Sequence, residues 1–111
     1  MQSKELKEML EKNPSSLLII DVRETDEVAD QPLLPSRPKN YVNLPVGFVC
    51  SLPKDELKAR LEECAGQCGK TLDQVTLVVS CRSGGRSSLA QEKLKEHGIA
   101  AENLDGGYLG W

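Results

Sequence analysis

The sequence predicts a layered α/β fold built on a mostly parallel sheet, with helices against its faces. Leu17–Val22 is a continuous apolar run with one acid near its end, which fits a strand covered on both faces, and Val75–Ser80, rich in β-branched residues, reads as a second buried strand. Segments of helical period lie beside them, and strand alternating with helix favours parallel crossovers. The first helix is Ser3–Lys12, where Leu6, Met9 and Leu10 recur at helical spacing, Ser3 is placed to cap and Asn13-Pro14 stops the chain. Leu17–Val22 follows as a buried strand carrying one acid, Asp21, near its end. Thr25 is placed to cap a short helix through Ala29. Gln31–Asn40 holds Pro32, Pro35 and Pro38 and reads as a loop. Tyr41–Leu44 is a short strand stopped by Pro45. Lys54–Gly66 reads as the clearest helix, with Leu57 and Leu61 four apart, acids early and Gly66 at the end. Val75–Ser80 is rich in β-branched residues and reads as the second core strand. Ser88–His97 is a helix closed by Gly98, and Ile99–Leu104 a last short strand.

Composition bounds the function. The chain has 111 residues, 39% hydrophobic and 28% charged, with a net charge of −3. That length fits one domain, residues 1–111, within the usual range of roughly 50–250 residues. Its stop at Trp111 also suits a module of a longer protein. The acidic balance argues against a nucleic-acid partner. No apolar run reaches the roughly 18 residues of a membrane span, and MQSKELKEMLEKN is too polar for a signal peptide. A cytoplasmic location, or an organelle matrix, is expected, and a monomer.

Four cysteines stand at Cys50, Cys64, Cys68 and Cys81. Only Cys64 and Cys68 are close, as C-x3-C, which lacks the paired spacing of a structural zinc site. With one histidine, His97, and no carboxylate motif, neither a metal nor a cofactor is expected. His97 ends a helix, where a cation complements the dipole. Cys50, Cys64 and Cys68 are expected to be plain reduced thiols. Tyr108 and Trp111 are expected to pack as the last aromatics.

Cys81 differs by its context, C-R-S-G-G-R-S between a buried strand and a helix. Gly84 and Gly85 admit positive φ and let consecutive N–H groups turn inward as an anion nest. The following helix adds its N-terminal N–H groups and dipole. Arg82 and Arg86 bring permanent positive charge. A cysteine in such a field ionises early: its ordinary pKa of about 8.5 falls to about 3.5–7.5 in comparable settings. The loop is built to make a nucleophilic sulfur and to hold an anion over it. It also lies at the carboxyl end of a strand, where open α/β sheets bind ligands.

Within Cys81–Ser87, the run C-R-S-G-G-R resembles the six-residue active-site loop of the rhodanese-like sulfurtransferases, in the form C-R-S-G-x-R. Asp21-Val22-Arg23-Glu24 resembles that family's D-V-R-E element, Asn43-Leu44-Pro45 its N-I-P element, and Gly106-Gly107 through Trp111 its G-G-x-x-x-W. These elements occur in order and span nearly the whole chain. The family's G-H-I-P-G-A segment is absent, and the proline-rich stretch Asp30–Lys39 stands in its place. The resemblance implies a rhodanese-like three-layer fold in which Cys81 takes a sulfane sulfur from a donor such as thiosulfate. The resulting persulfide passes its sulfur to a thiol, cyanide or a protein acceptor. It further implies substrate binding by Arg82, Ser83, Gly84, Gly85, Arg86 and Ser87, with Ser87 supporting the persulfide, and a mainly structural role for Asp21 and Arg23. Two rival classes remain: a cysteine phosphatase or arsenate reductase that shares the fold, and a non-catalytic binding or regulatory module. Phosphatase loops place five residues between cysteine and arginine. Here there are four, Arg82 to Gly85, which makes a smaller ring of N–H groups.

Overall fold

A computed structural model describes residues 1–111. Strand β1 (Leu17–Asp21) is buried along its whole length, because strands pair on both of its edges and helical layers cover both faces. On one edge it pairs with β2 (Tyr41–Asn43), on the other with β3 (Thr76–Ser80), and β3 pairs in turn with β4 (Glu102–Asn103). The order is β2-β1-β3-β4 and every pairing is parallel. The fold is the expected α/β sandwich of helices around a parallel sheet.

Side chains on a strand alternate between faces, and the two runs divide accordingly. Leu18, Ile20 and Val22 join Leu77, Val79 and Cys81 in one core with Val49, Leu57, Leu61 and Ala90. These last residues come from helices α3 (Val46–Ser51), α4 (Lys54–Gln67) and α5 (Gly85–Glu96). Leu17, Ile19 and Val78 face the other way, onto Leu6 of α1 (Ser3–Lys12) and onto Leu33 and Leu104. Helix α2 (Thr25–Asp30) follows β1 and buries Val28.

Several elements depart from the sequence reading for local reasons. Ser3 is the first helical residue of α1 and Gln2 precedes it as cap, without a side-chain bond. At α2 the cap is Glu24, not Thr25, and the Glu24 N–H donates to Glu27 Oε1 at 2.9 Å. Helix α3 is missing from the sequence reading, since six residues behind a proline are too few to display a period. Helix α5 starts at Gly85, three residues before Ser88, because the loop's glycine pair opens the helix itself. Strand β4 shrinks to Glu102–Asn103, pairing with Val78 and Val79 alone. No helix is long and apolar enough to cross a membrane.

Register positions the chemistry. Asp21 pairs with Ser80, so the segments following β1 and β3 leave the sheet side by side. The Val22 N–H donates to Ser80 O at 2.8 Å and carries the pairing one residue further. Arg23 and Cys81 therefore emerge at the same carboxyl edge.

Candidate active site

Cys81 is the first residue past β3 and is 1% exposed. Its Sγ accepts the Gly84 N–H at 3.0 Å and lies 3.2 Å from the Ser87 hydroxyl, within reach of that proton when it is turned toward sulfur. Gly84 makes this possible with φ +107, a left-handed value that turns its N–H inward and opens α5. Gly85 has no such value and sits as an ordinary first helical residue, so of the two glycines only Gly84 needs the freedom expected of both. Burial pushes the thiol up. The Ser87 hydroxyl, with the N–H groups of Ser87, Gly84 and Ser83, outweighs it and leaves Cys81 below the ordinary thiol value. The causes that lower it are thus hydrogen bonds, the loop and helix N–H groups that the sequence suggested among them, ahead of the two arginines it also suggested.

The loop is fixed from beneath by the segment after β4. Tyr108 N–H donates to Cys81 O at 2.8 Å and Leu109 N–H to Arg82 O at 2.9 Å. Gly107 permits this approach, since a Cβ there would lie 2.3 Å from Cys81 O and 2.9 Å from Arg82 C. The motif read as G-G-x-x-x-W therefore acts as a backbone clamp on the cysteine loop.

The charged residues take three different stations. Arg86, expected to bind substrate anion, gives its guanidinium to Glu27 instead, at 2.6 and 3.0 Å. This two-pronged pair ties α5 to α2, and with the Glu24 N–H it holds the Glu27 carboxyl down at about 2. Arg82 is exposed and forms no salt bridge, which leaves it as the loop's free cation, beside exposed Ser83. Arg23 is 2% exposed and lies against Asp21, at 0%, with Nη2 2.8 Å from Oδ2. Tyr41 donates to the same Oδ2 at 2.6 Å, and burial followed by that bond pushes its hydroxyl up to about 12. Arg23 Nη2 also donates to Gln31 O, and its guanidinium stacks 4.8 Å from the Tyr108 ring. Asp21 and Arg23 thus form a buried ion pair that joins the end of β1 to β2 and to the start of the proline-rich stretch.

A cavity of about 360 Å³ opens beside the loop, lined by Arg23, Asp26, Glu27, Asp30, Gln31, Arg82 and Tyr108. Asp30 and Gln31 begin the proline-rich stretch, so that stretch supplies part of the wall, anchored where Leu33 N–H donates to Tyr41 Oη at 2.9 Å. Cys81 lies beneath Arg82 and does not itself line the cavity.

None of the other cysteines is hydrogen-bonded to Cys81, and Cys50 is exposed on α3. Cys64 is buried on α4 in the same core that Cys81 joins, and burial pushes its thiol up. Cys68 lines a hollow with Pro14, Ser15, Lys39 and Asn40, at the amino edge of the sheet. The five residues of β1, at about 3.3 Å each, separate that edge from Cys81 by roughly 15 Å. A disulfide needs Cα atoms within about 7 Å. His97 ends α5 twelve residues from Gly85, at the far end from the thiol. Sequence reasoning missed Glu27, Gly107 as a steric requirement, Tyr41 and Asn103, whose Oδ1 lies 2.5 Å from Ser87 Oγ. The acid-rich α2 was the available signal for Glu27. Asn103 offered none.

Fold and loop together define an α/β domain that holds one ionisable cysteine among N–H donors at the carboxyl edge of a parallel sheet. The chain belongs to the family of rhodanese-like domains, whose model matches residues 2–111. Among solved structures it is similar to a rhodanese-like domain protein from Staphylococcus aureus, with 25% identity, TM-score 0.70, and coverage of 100% of this chain and 88% of that one. The human single-domain sulfurtransferase TSTD1 is 22% identical over 100% of this chain and 92% of its own, with TM-score 0.69. A Rhodopseudomonas palustris protein described as a possible tyrosine phosphatase is 17% identical, covering 99% and 76%, with TM-score 0.73. Likeness at these last two identities concerns the fold alone. No curated protein matches the sequence.

Proposed function

We propose that the protein is a sulfurtransferase of the thiosulfate type, with Cys81 as its sulfur carrier. The observation that carries this reading is the short loop itself, whose Gly84 N–H and Ser87 hydroxyl converge on Cys81 Sγ at 3.0 and 3.2 Å. A ring this small suits a single sulfur atom better than a tetrahedral phosphate, which disfavours phosphatase chemistry. Membership of the rhodanese-like family points the same way.

In the first half-reaction the Cys81 thiolate attacks the outer sulfur of thiosulfate. A Cys81 sulfur–sulfur bond forms, the donor's sulfur–sulfur bond breaks, and sulfite leaves with the electron pair. In the second, an acceptor thiolate or cyanide attacks the outer sulfur and the Cys81 thiolate departs. Arg82, free of any carboxylate, is the side chain available to an anionic donor, and Arg86 serves by holding the loop's helix to α2. The partners are a small sulfane-sulfur donor and a thiol acceptor, which a protein could also supply.

The test is the mass of the protein after exposure to thiosulfate, with and without reductant, together with turnover of thiosulfate with cyanide. A reductant-sensitive gain of one sulfur, absent in Cys81→Ser, is expected, and that variant should fold normally with no turnover. Hydrolysis of an aryl phosphate without sulfur uptake would overturn the reading.

A further inference from the structure

Ser87 is fully buried, and its Oγ stands within hydrogen-bond distance of three acceptors: Cys81 Sγ at 3.2 Å, Gly84 O at 3.2 Å and Asn103 Oδ1 at 2.5 Å. A hydroxyl has one proton. It cannot serve all three, and the shortest contact takes it. With Oδ1 facing it, Ser87 thus gives its proton to Asn103 and leaves the sulfur with the Gly84 N–H alone. That arrangement suits a neutral thiol. It does not suit an anionic sulfur, the strongest acceptor of the three once charged.

Once the hydroxyl turns to sulfur, an oxygen lone pair faces Asn103 Oδ1 at 2.5 Å, a repulsive contact. Turning the carboxamide by half a rotation replaces Oδ1 with Nδ2 and converts the contact into an N–H donated to Oγ. On its other side the turn sets Oδ1 opposite Gly84 O in place of Nδ2, a cost moderated by the 3.4 Å separation. Asn103 Nδ2 now donates only a long bond, 3.4 Å, to Gly84 O, and that carbonyl keeps the Ser88 N–H at 3.1 Å. The strand is braced for the motion: Asn103 pairs with Val79, and Gln91 Nε2 of α5 donates to the neighbouring Ala101 O at 2.8 Å.

We propose that Asn103 is a positioning residue for Cys81, with a carboxamide that turns when the sulfur becomes anionic and so commits the Ser87 proton to Sγ. The same orientation would serve the thiolate and the persulfide anion. The proposal deepens the sulfurtransferase reading but rests only on Cys81 ionising, so it is tested without sulfur transfer.

The experiment is the pH profile of iodoacetamide alkylation in a double-mutant cycle of Ser87→Ala and Asn103→Asp. A carboxylate can only accept, so Asn103→Asp keeps the Ser87 proton to itself. In the wild type, Ser87→Ala should slow alkylation at neutral pH about tenfold, the effect of roughly one unit in the thiol pKa. In the Asn103→Asp background the same change should matter less than about twofold. Equal factors in both backgrounds would overturn the proposal. A second measurement needs no Asn103 variant. The side-chain NH2 resonances of Asn103 should titrate with the Cys81 alkylation midpoint in the wild type and stop doing so in Ser87→Ala. Resonances that ignore the Cys81 titration, or that follow it unchanged in Ser87→Ala, would also overturn it. If the cycle behaves as expected while no sulfur is taken up, the sulfurtransferase reading fails and the role of Asn103 stands.

Discussion

Gly107 shows how much one missing side chain can decide. Its φ is +54 and its Cα lies so near the Cys81 and Arg82 backbone that a methyl group would meet Cys81 O at 2.3 Å. Neither neighbour is a flexible side-chain tip, so the clash must be relieved by moving the loop. Gly107→Ala should cost about 2–4 kcal/mol, steric crowding and left-handed backbone strain combined. It should also blunt the reactivity of Cys81, because the carbonyls bonded to Tyr108 and Leu109 set where Sγ sits relative to the Gly84 N–H. Denaturant midpoints and alkylation rates check both parts. A variant with wild-type stability and reactivity would show that the loop does not depend on this close approach.

At the scale of elements, the pair Arg86–Glu27 is the only side-chain ion pair between α2 and α5. The Glu27 carboxyl lies at about 2 in the folded chain against an ordinary 4.5. An acid whose pKa is lowered by folding contributes stability above its unfolded value, and that contribution disappears as pH falls through the folded value. The clamp should therefore weaken between about pH 4.5 and pH 2. Glu27→Gln removes the titrating group, so its stability should fall less steeply across that window than the wild type's, while being lower at neutral pH. Parallel slopes in a series of urea titrations would contradict the clamp. The capping contact to the Glu24 N–H makes Glu27 serve its own helix and the partner helix together.

Across the whole molecule, the parallel sheet separates two edges with different work. The carboxyl edge carries the buried pair Asp21–Arg23 between β1, β2 and the proline-rich segment. Removing one partner leaves a buried charge uncompensated, so Arg23→Ala should cost about 3–5 kcal/mol in thermal or urea unfolding. The joint variant Asp21→Asn/Arg23→Leu should recover part of that loss, and a single variant as stable as the wild type would refute the account. The amino edge carries Cys68, roughly 15 Å away by the length of a five-residue strand. Cys68→Ser should turn over thiosulfate at the wild-type rate and keep the wild-type peroxide sensitivity. A change in either would imply a route between the edges that the fold does not provide.

The sequence by itself determined the α/β class, because Leu17–Val22 and Val75–Ser80 read as buried strands alternating with segments of helical period, and it located Cys81 with its glycines and arginines, because those residues are contiguous. Local chemistry is legible when its parts adjoin in the chain. What required tertiary structure was the assignment of partners. Arg86 and Glu27 are 59 residues apart, and the sequence could not show that a guanidinium suited to an anion was already engaged. Asn103 reaches Ser87 only because β4 pairs with β3 beside the start of α5. Helix α3 and the trimmed β4 escaped for a related reason, since elements of six and two residues are defined by what they pack or pair with rather than by a period of their own. A hydrogen bond depends on distance in space, and only the folded chain sets that distance.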